Sequence, residues 1–565
     1  MRQTSVNDLY ELWRRQAEED PDIVRELLEM EGEPEKIEEA FYSDLSFGTG
    51  GMRSTIGAGT NRLNIYTVGK ASQGVANYIK RTMPEELWSI AVSFDSRIKS
   101  ELFARTTAQV CAANGIHVYI YPELMPTPCL SFVVRYLKCG AGVMITASHN
   151  PAEYNGYKVY GPDGCQIATE RTAAISAEIE KLDIFRDPRK MDFDQGVSQG
   201  LITWIEDQAE TAFIEAIKAQ SVLGGEKVCK DISIVYTPLN GTGLKPVMRS
   251  LTESGYTNIH VVKEQEEPDG TFPTCPYPNP EVKEAMELGI RYAKDCKAEL
   301  LMATDPDCDR VGIAVPGPDG EYVLLSGNET GILLLDYICA RRTAMGTMPE
   351  DPVAAKTIVT TDMAERIAAH YGVRMVNVLT GFKYIGEYMG KLEAEGKEDS
   401  FIFGLEESYG YLSGSYVRDK DGVNAAYLIC EMVAYYKKQG ICLYDRLQEL
   451  YQTYGYCLNG SHSYYFKGRA GKRKMSRIMD TFRGRKGEIG GKKILEMLDY
   501  AEGIDGLPKS NVLKFILEDN CCVIIRPSGT EPKLKVYIFV SAGERDILPA
   551  LEQQISRGIE DVIHG

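Results

Sequence analysis

Ser148, His149 and Lys158 fall within one short stretch, Thr146-Ala-Ser-His-Asn-Pro151 and the residues up to Lys158. A hydroxyl beside an imidazole and an ammonium suits phosphate chemistry, because a phosphorylated serine needs cationic neighbours. The apolar run ending at Ile145 reads as a buried strand. The small residues and proline after it force the backbone out of the sheet. Ser148 is then expected just beyond a strand's carboxyl end, where open α/β sheets place their ligands. Asn155-Gly156 reads as a turn ahead of Lys158. An ordinary polar turn would carry the same residues, so the reading needs support from elsewhere.

That support begins at Thr304-Asp-Pro-Asp-Cys-Asp-Arg310, again after an apolar strand. Asp305, Asp307 and Asp309 alternate in an extended loop, a spacing that lets three carboxylates converge on one hard cation. An EF-hand also starts this way, but it needs glycine at its sixth position and glutamate at its twelfth. Here those positions are Arg310 and Pro316. Three carboxylates and an arginine suit a Mg²⁺ that still reaches a phosphate oxygen, with Arg310 on a second phosphate.

Two further loops follow strands. Glu406 and Ser408, in Gly404-Leu-Glu-Glu-Ser-Tyr-Gly410, offer acceptor and donor capacity for adjacent sugar hydroxyls. Arg526, Ser528, Gly529 and Thr530, with Lys533 and Lys535 beyond, have the makings of a phosphate nest. Lys383 after Thr380-Gly-Phe adds a cation. Arg53, closing Phe47-Gly-Thr-Gly-Gly-Met-Arg53, offers a charged fork behind glycines that allow close approach. That glycine stretch has neither the dinucleotide fingerprint nor the P-loop spacing.

The elements that must hold these loops follow an α/β rhythm from Trp88. Strands are expected at 89–94, 116–121 and up to 145, with helices at 101–113 and 128–137. A second unit has strands 232–237, 259–262 and 299–303 with helices 244–254 and 281–294. A third has helix 329–341, strand 356–361, helix 363–371, strand 374–379, helix 384–395 and strand 401–405. Three such series, each ending in a strand that opens into a polar loop, point to repeated doubly wound domains. After residue 450 the texture changes: a basic stretch at 467–474, a strand–loop–strand over 523–540 and a final amphipathic helix at 547–563 read as a separate α+β domain. Residues 5–30 carry apolar positions at helical spacing, with a break at Asp20-Pro21, and read as a packed helical extension. The acidic run 31–39 reads as a solvated face.

Composition narrows the function. A chain of 565 residues suggests about three to five domains. A net charge of -18 argues against nucleic acid and anionic membranes as partners, so any phosphate must be held by a local cation cluster. No stretch approaches the ~20 apolar residues of a membrane span. No signal-type apolar core follows Met1, so a cytoplasmic protein is expected. The fourteen cysteines include no Cys-x-x-Cys pair and are expected to be reduced, with Cys521-Cys522 as core residues.

Taken in order, the four loops resemble those of the α-D-phosphohexomutase superfamily. Residues 146–151 are similar to its phosphoserine loop, 305–310 to its metal loop, 406–410 to its sugar loop and 526–530 to its phosphate loop. Residues 47–53, 57–61, 236–243 and 526–533 resemble the phosphoglucomutase-2-like subgroup, which spans phosphoglucomutases, phosphopentomutases and glucose-1,6-bisphosphate synthases. Asn240 stands where a histidine is expected, and Pro306 and Cys308 where glycines are common. The resemblance implies three similar doubly wound mixed-sheet α/β domains plus a smaller C-terminal α+β domain around a central cleft. The expected bounds are a helical extension at 1–40 and domains at 41–207, 208–323, 324–450 and 451–565.

It also implies an intramolecular phosphotransferase, a phosphoprotein of carbohydrate metabolism acting on a small phosphosugar. Mg²⁺ would be held by Asp305, Asp307, Asp309 and the Ser148 phosphate, with glucose 1,6-bisphosphate as activator and intermediate. Ser148 would carry the phosphoryl group. Lys158, buried among cations, would handle the sugar's proton, with His149 as the alternative and Arg53 beside them. Arg310, Lys383, Glu406 and Ser408 would contact substrate; Arg526, Ser528, Gly529, Thr530 and Lys535 would anchor its phosphate. Glucose 1-phosphate is the expected substrate. Ribose or mannose phosphates, bisphosphate synthesis, and a non-catalytic sugar-phosphate binder remain open.

Overall fold

In a computed structural model the chain is described at residues 5–48, 50–466, 468–504, 506–527 and 533–564. Its first sheet is built from β1 (Gly51–Thr55), β2 (Ser89–Phe94), β3 (His117–Ile120), β4 (Ala141–Ile145), β5 (Tyr154–Tyr160) and β6 (Ile202–Trp204). They lie in the order β1-β5-β4-β2-β3-β6. β4, β2, β3 and β6 run parallel, while β5 returns antiparallel beside β4. Parallel strands covered by helices on both faces read as unbroken apolar runs, and β4 is buried throughout.

The second sheet holds β7 (Ile234–Thr237), β8 (Ile259–Val261), β9 (Leu300–Thr304), β10 (Val311–Pro316) and β11 (Tyr322–Leu325), ordered β11-β10-β9-β7-β8. Here too the return strand β10 is antiparallel to β9, and β9, β7 and β8 are parallel. The third holds β12 (Val353–Thr357), β13 (Arg374–Val378), β14 (Phe401–Glu406) and β15 (Gly410–Leu412), ordered β13-β12-β14-β15. The same sequence of return strand, last, first and second strand recurs three times. The repeat read from the sequence pattern is therefore a repeat of topology.

The last sheet is different. β16 (Tyr456–Tyr465), β17 (Glu488–Ile489), β18 (Lys492–Asp499), β19 (Leu513–Leu517), β20 (Cys522–Pro527) and β21 (Lys533–Ala542) form an antiparallel sheet in the order β16-β21-β20-β19-β18-β17. Ile478, Phe482, Ile555 and Ile559, on the helices Gly468–Arg483 and Leu548–His564, share its apolar core. Residues 468–474 of the basic stretch thus lie in a helix. By contact density the chain divides into two units. One is Met1–Ser326 with Phe382–Gly404 and Ser408–Gly440; the other is Gly327–Gly381 with Leu405–Glu407 and Ile441–Gly565.

The N-terminal extension forms three helices, Val6–Gln16, Pro21–Glu29 and Pro34–Phe41. Asp20 caps the second through the Asp22 N–H, with Pro21 in its first turn. Trp13 is fully buried against Phe41, Tyr66 and Phe185, with ring centroids 5.4–5.7 Å apart. Glu26 accepts from the Ala58 N–H at 2.7 Å, and Lys99 pairs with Asp20 at 2.6 Å. These helices belong to the first domain's core.

Two expectations fail locally. Asn155-Gly156 is not a turn but part of β5, with Gly156 opposite Arg53 of β1. A Cβ at Gly156 would meet the Thr146 carbonyl oxygen at 2.3 Å, so this glycine serves close packing. The strand expected at 356–361 is β12, ending at Thr357. Its β-branched continuation turns instead, with Thr360 N–H bonded to Thr357 O at 3.0 Å. Cysteines are mostly buried; only Cys229 and Cys442 are exposed. Among the described residues no helix is long and apolar enough to cross a membrane.

Candidate active site

β4 delivers Ser148 three residues past its last strand residue, with φ +54°. A non-glycine residue in the left-handed region costs about 1–3 kcal/mol and persists only where its surroundings over-determine it. The Ser148 N–H is bonded to Thr146 Oγ1 at 2.7 Å. Its own hydroxyl lies 2.8 Å from Asp305 Oδ2 and 3.1 Å from His149 Nδ1.

β9 delivers the aspartates in the same manner, and here Cys308 takes the left-handed position, with φ +49°. A glycine would be at ease there, which gives the departure at Cys308 a physical meaning. All three aspartates are buried, and one oxygen from each lies within 4.8 Å of the others. Asp305 Oδ1 accepts from the backbone N–H groups of Asp309 and Arg310 at 3.1 and 3.0 Å, so the loop is folded around its first carboxylate. Lys158 Nζ sits 2.8 Å from Asp307 Oδ2 and 3.7 Å from Asp309 Oδ2. Lys158 is thus not buried among cations, as expected from sequence, but set against carboxylates. β5 places it there by pairing it with Met144 of β4.

Three groups here went unread in the sequence. Lys420 Nζ pairs with Asp309 Oδ2 at 2.8 Å. Thr127 Oγ1 donates to Asp307 Oδ2 at 2.8 Å, and its N–H to the Asp307 carbonyl at 2.9 Å. Arg97, side chain fully buried, donates to carbonyls of the serine loop. Lys420 lies in Arg-Asp-Lys-Asp421, a mixed-charge run that resembles a solvated face. The available signal was Asp421, which caps the helix Gly422–Lys438 and so fixes the run against the core.

Burial first, and then Asp307 and Asp309, push the Asp305 carboxyl well above the usual range. For Asp307 burial also acts upward, but Lys158 and Lys420 overcome it and hold the group below its ordinary value. Desolvation, followed by the charges of Arg310 and Arg53, holds the His149 imidazole well below its ordinary value, which leaves it neutral near pH 7.

The remaining expected residues are placed as follows. Arg310 Nε lies 3.8 Å from Asp305 and 3.6 Å from Asp309, and its Nη1 donates to the Ser408 carbonyl at 3.2 Å. Arg53, exposed on β1, donates to Asn150 Oδ1 at 3.0 Å. Lys383 opens the helix Phe382–Ala394. Glu406 is buried at the end of β14, and Thr357 donates to neighbouring Glu407 at 3.1 Å. Arg526 and Lys535 are register partners on β20 and β21. Ser528, Gly529 and Thr530 lie outside the described residues. The Asn240 turn survives: Asn240 has φ +56°, and its Nδ2 donates to Glu267 O at 2.8 Å.

A divalent cation fits this site. Asp307 Oδ1 is buried and has no hydrogen-bond partner among the described residues, a cost borne when a ligand completes the shell. The donor set is all carboxylate oxygen, which suits Mg²⁺.

Fold and site define a class. The family descriptions "Phosphoglucomutase/phosphomannomutase, alpha/beta/alpha domain" I, II and III match residues 44–185, 211–318 and 326–454. The chain belongs to this family, within the α-D-phosphohexomutase superfamily, and is an isomerase of the phosphotransferase type. Its particular likeness is to the phosphoglucomutase of Staphylococcus saprophyticus, 36% identical over 549 residues, covering 95% of this chain and 97% of that one. Among solved structures, the open form of parafusin, a phosphoglucomutase from Paramecium, superposes with a TM-score of 0.69 at 18% identity, covering 92% of this chain and 96% of that one. A phosphoglucomutase/phosphomannomutase family protein from Burkholderia thailandensis gives 0.68 at 17%, covering 92% and 98%. Both share the fold.

Proposed function

We propose that this protein interconverts α-D-glucose 1-phosphate and glucose 6-phosphate, by way of a phosphorylated Ser148 and a glucose 1,6-bisphosphate intermediate. The observation that carries the reading is the 2.8 Å approach of the Ser148 hydroxyl to Asp305, inside a cluster of three buried aspartates. Charge balance supports it. Lys158, Lys420 and Arg310 match the three carboxylates in number. A phosphate ester of about −2 charge on Ser148 then calls for a divalent cation.

Asp305, Asp307 and Asp309 would hold Mg²⁺ together with the Ser148 phosphate. Its chemistry there is to neutralise charge on the transferring phosphoryl group. The residues of the chain do the rest. The bond between phosphorus and Ser148 Oγ breaks as a bond forms to the free hydroxyl of the bound sugar phosphate, and Ser148 leaves as an alkoxide that takes up a proton. The proton it takes up is the one released by the sugar hydroxyl, and neutral His149, with Nδ1 3.1 Å from Oγ, is placed to accept it and pass it to Ser148. Lys158 is the group assigned to the proton of the sugar hydroxyl. Arg53 and Arg310 supply charge at the mouth of the cluster. Lys383, Glu406 and Ser408 are assigned to the sugar, and Arg526, Ser528, Gly529, Thr530 and Lys535 to its non-reacting phosphate. The bisphosphate then turns around and returns its other phosphoryl group to Ser148.

The deciding experiment is an assay of glucose 1-phosphate, mannose 1-phosphate and ribose 1-phosphate, each with Mg²⁺ and primed with glucose 1,6-bisphosphate. The highest kcat/KM is expected for glucose 1-phosphate. A preference for ribose or mannose 1-phosphate would replace the substrate while keeping the chemistry. Absence of turnover on all three would overturn the mutase reading.

A further inference from the structure

Ser148 is held in its left-handed conformation from below the loop. Arg97, three residues beyond the end of β2, donates from Nη2 to the Ser148 carbonyl at 2.6 Å and also to the Asn150 carbonyl. Its Nη1 donates to the carbonyls of Pro151 and Tyr154 at 2.8 and 2.9 Å. One planar guanidinium thus spans the loop from Ser148 to the first residue of β5, a task its fixed fork performs and an ammonium cannot. Asp95 orients that fork, with Oδ2 3.5 Å from Arg97 Nε and Oδ1 accepting the Arg97 N–H at 3.0 Å.

Beneath the guanidinium lies the ring of Phe272, whose centroid is 5.0 Å from Arg97 Cζ. Phe272 is buried, and its φ is +48°. Its segment reaches the first domain through a backbone bridge between Arg97 and Gly270. A Cβ at Gly270 would meet Ile98 N at 2.5 Å and Ser96 O at 2.6 Å, so the approach requires glycine. The segment is tied in turn to Asn240, whose carbonyl accepts the Asp269 N–H at 3.0 Å. The Asn240 turn presses on the metal loop. A Cβ at Gly241 would meet Pro306 Cα at 2.4 Å, and Thr242 donates from N and Oγ1 to the Pro306 carbonyl at 2.9 and 3.0 Å.

We propose that Arg97 and Phe272 are a positioning pair that sets the Ser148 hydroxyl against the aspartates. A continuous run of contacts joins the carbonyl of Ser148, through Arg97, Phe272 and the Asn240 turn, to Pro306 between Asp305 and Asp307. The serine loop and the metal loop share one spacer. Neither Arg97 nor Phe272 touches the reacting atoms. The proposal rests on the mutase reading, because it concerns where the phosphoryl carrier sits.

The test uses the full chain with Arg97→Met, Phe272→Leu and the double variant. Two readouts are taken: kcat and KM for glucose 1-phosphate, normalised to the fraction phosphorylated at Ser148, and hydrogen exchange of the 146–154 peptide. Arg97→Met is expected to lower kcat about 100-fold, the scale of an ångström-sized misplacement. Phe272→Leu is expected to lower it about tenfold, with KM within about threefold in both. The double variant is expected to be no worse than Arg97→Met, since two parts of one spacer are not additive. Both single variants should speed exchange in the loop peptide. Unchanged normalised kcat in folded Phe272→Leu, or losses that multiply in the double variant, would overturn the proposal. Should Arg97→Met fail to fold, Phe272→Leu decides alone. If the parent protein shows no mutase turnover, the functional reading falls. Exchange then judges the pair: unchanged exchange in Phe272→Leu would overturn it too.

Discussion

The serine loop and the aspartate loop are the same backbone device put to two uses. Each leaves a parallel strand of its sheet, passes one non-glycine residue in the left-handed region, and returns on an antiparallel neighbour. They differ in what holds them. The aspartate loop folds around its own carboxylate, with Asp305 Oδ1 accepting two backbone N–H groups from the loop itself. It is also held from outside, by Thr127 on the Asp307 carbonyl and Thr242 on the Pro306 carbonyl, whereas in the serine loop a single guanidinium, that of Arg97, takes four carbonyls. On the proposed reading, a loop whose serine is modified and regenerated takes its shape from one side chain outside it, and a loop that would hold an ion takes part of its shape from its own carboxylate.

The comparison breaks most sharply at its reacting atom. Ser148→Ala is expected to cost about 10⁴-fold or more in mutase rate with an unchanged circular dichroism spectrum. Near-normal turnover would leave the serine loop without a purpose of its own. Asp307→Ala comes next, with a loss of about 10³-fold and of the response to added Mg²⁺. A rate that still tracks Mg²⁺ in a titration against EDTA would move the metal elsewhere. Gly156→Ala pushes on the Thr146 carbonyl at the root of the serine loop and should cost about tenfold in kcat. An unaffected rate would show the loop tolerates displacement. Thr127→Val removes one donor to Asp307, and should lower unfolding free energy by about 1.5 kcal/mol in a urea titration. No change would mean that Lys158 alone satisfies that carboxylate.

Much of this was legible in the chain because the candidate loops advertise themselves. Apolar runs mark β4, β9 and β14, and the residues at or just after the end of each run are the candidate site groups. What stayed hidden is what sequence order separates. Lys420 and Thr127 reach the aspartates from far along the chain, and each sits in a stretch whose local pattern is ordinary. Arg97 follows a strand like many surface arginines do, and only the fold buries it. Glycine was misread where it serves packing. Gly156, whose Asn-Gly pairing predicts a turn, sits in β5. Gly74 lies in the helix Ile65–Thr82, absent from the sequence reading, where a Cβ would meet Ile179 Cγ1 at 2.3 Å. Periodicity carries no trace of such contacts, because they depend on which element comes to lie alongside.

The domain I family description matches from residue 44, after the three leading helices whose Trp13 packs against Tyr66 and Phe185. A chain started at that point would lay an aromatic face of the first domain open to water. Such a face seeks a substitute cover, and the nearest supply is the same face on another copy. Shortened forms of the protein would be lost as precipitate during expression, well before an assay could register a slower rate.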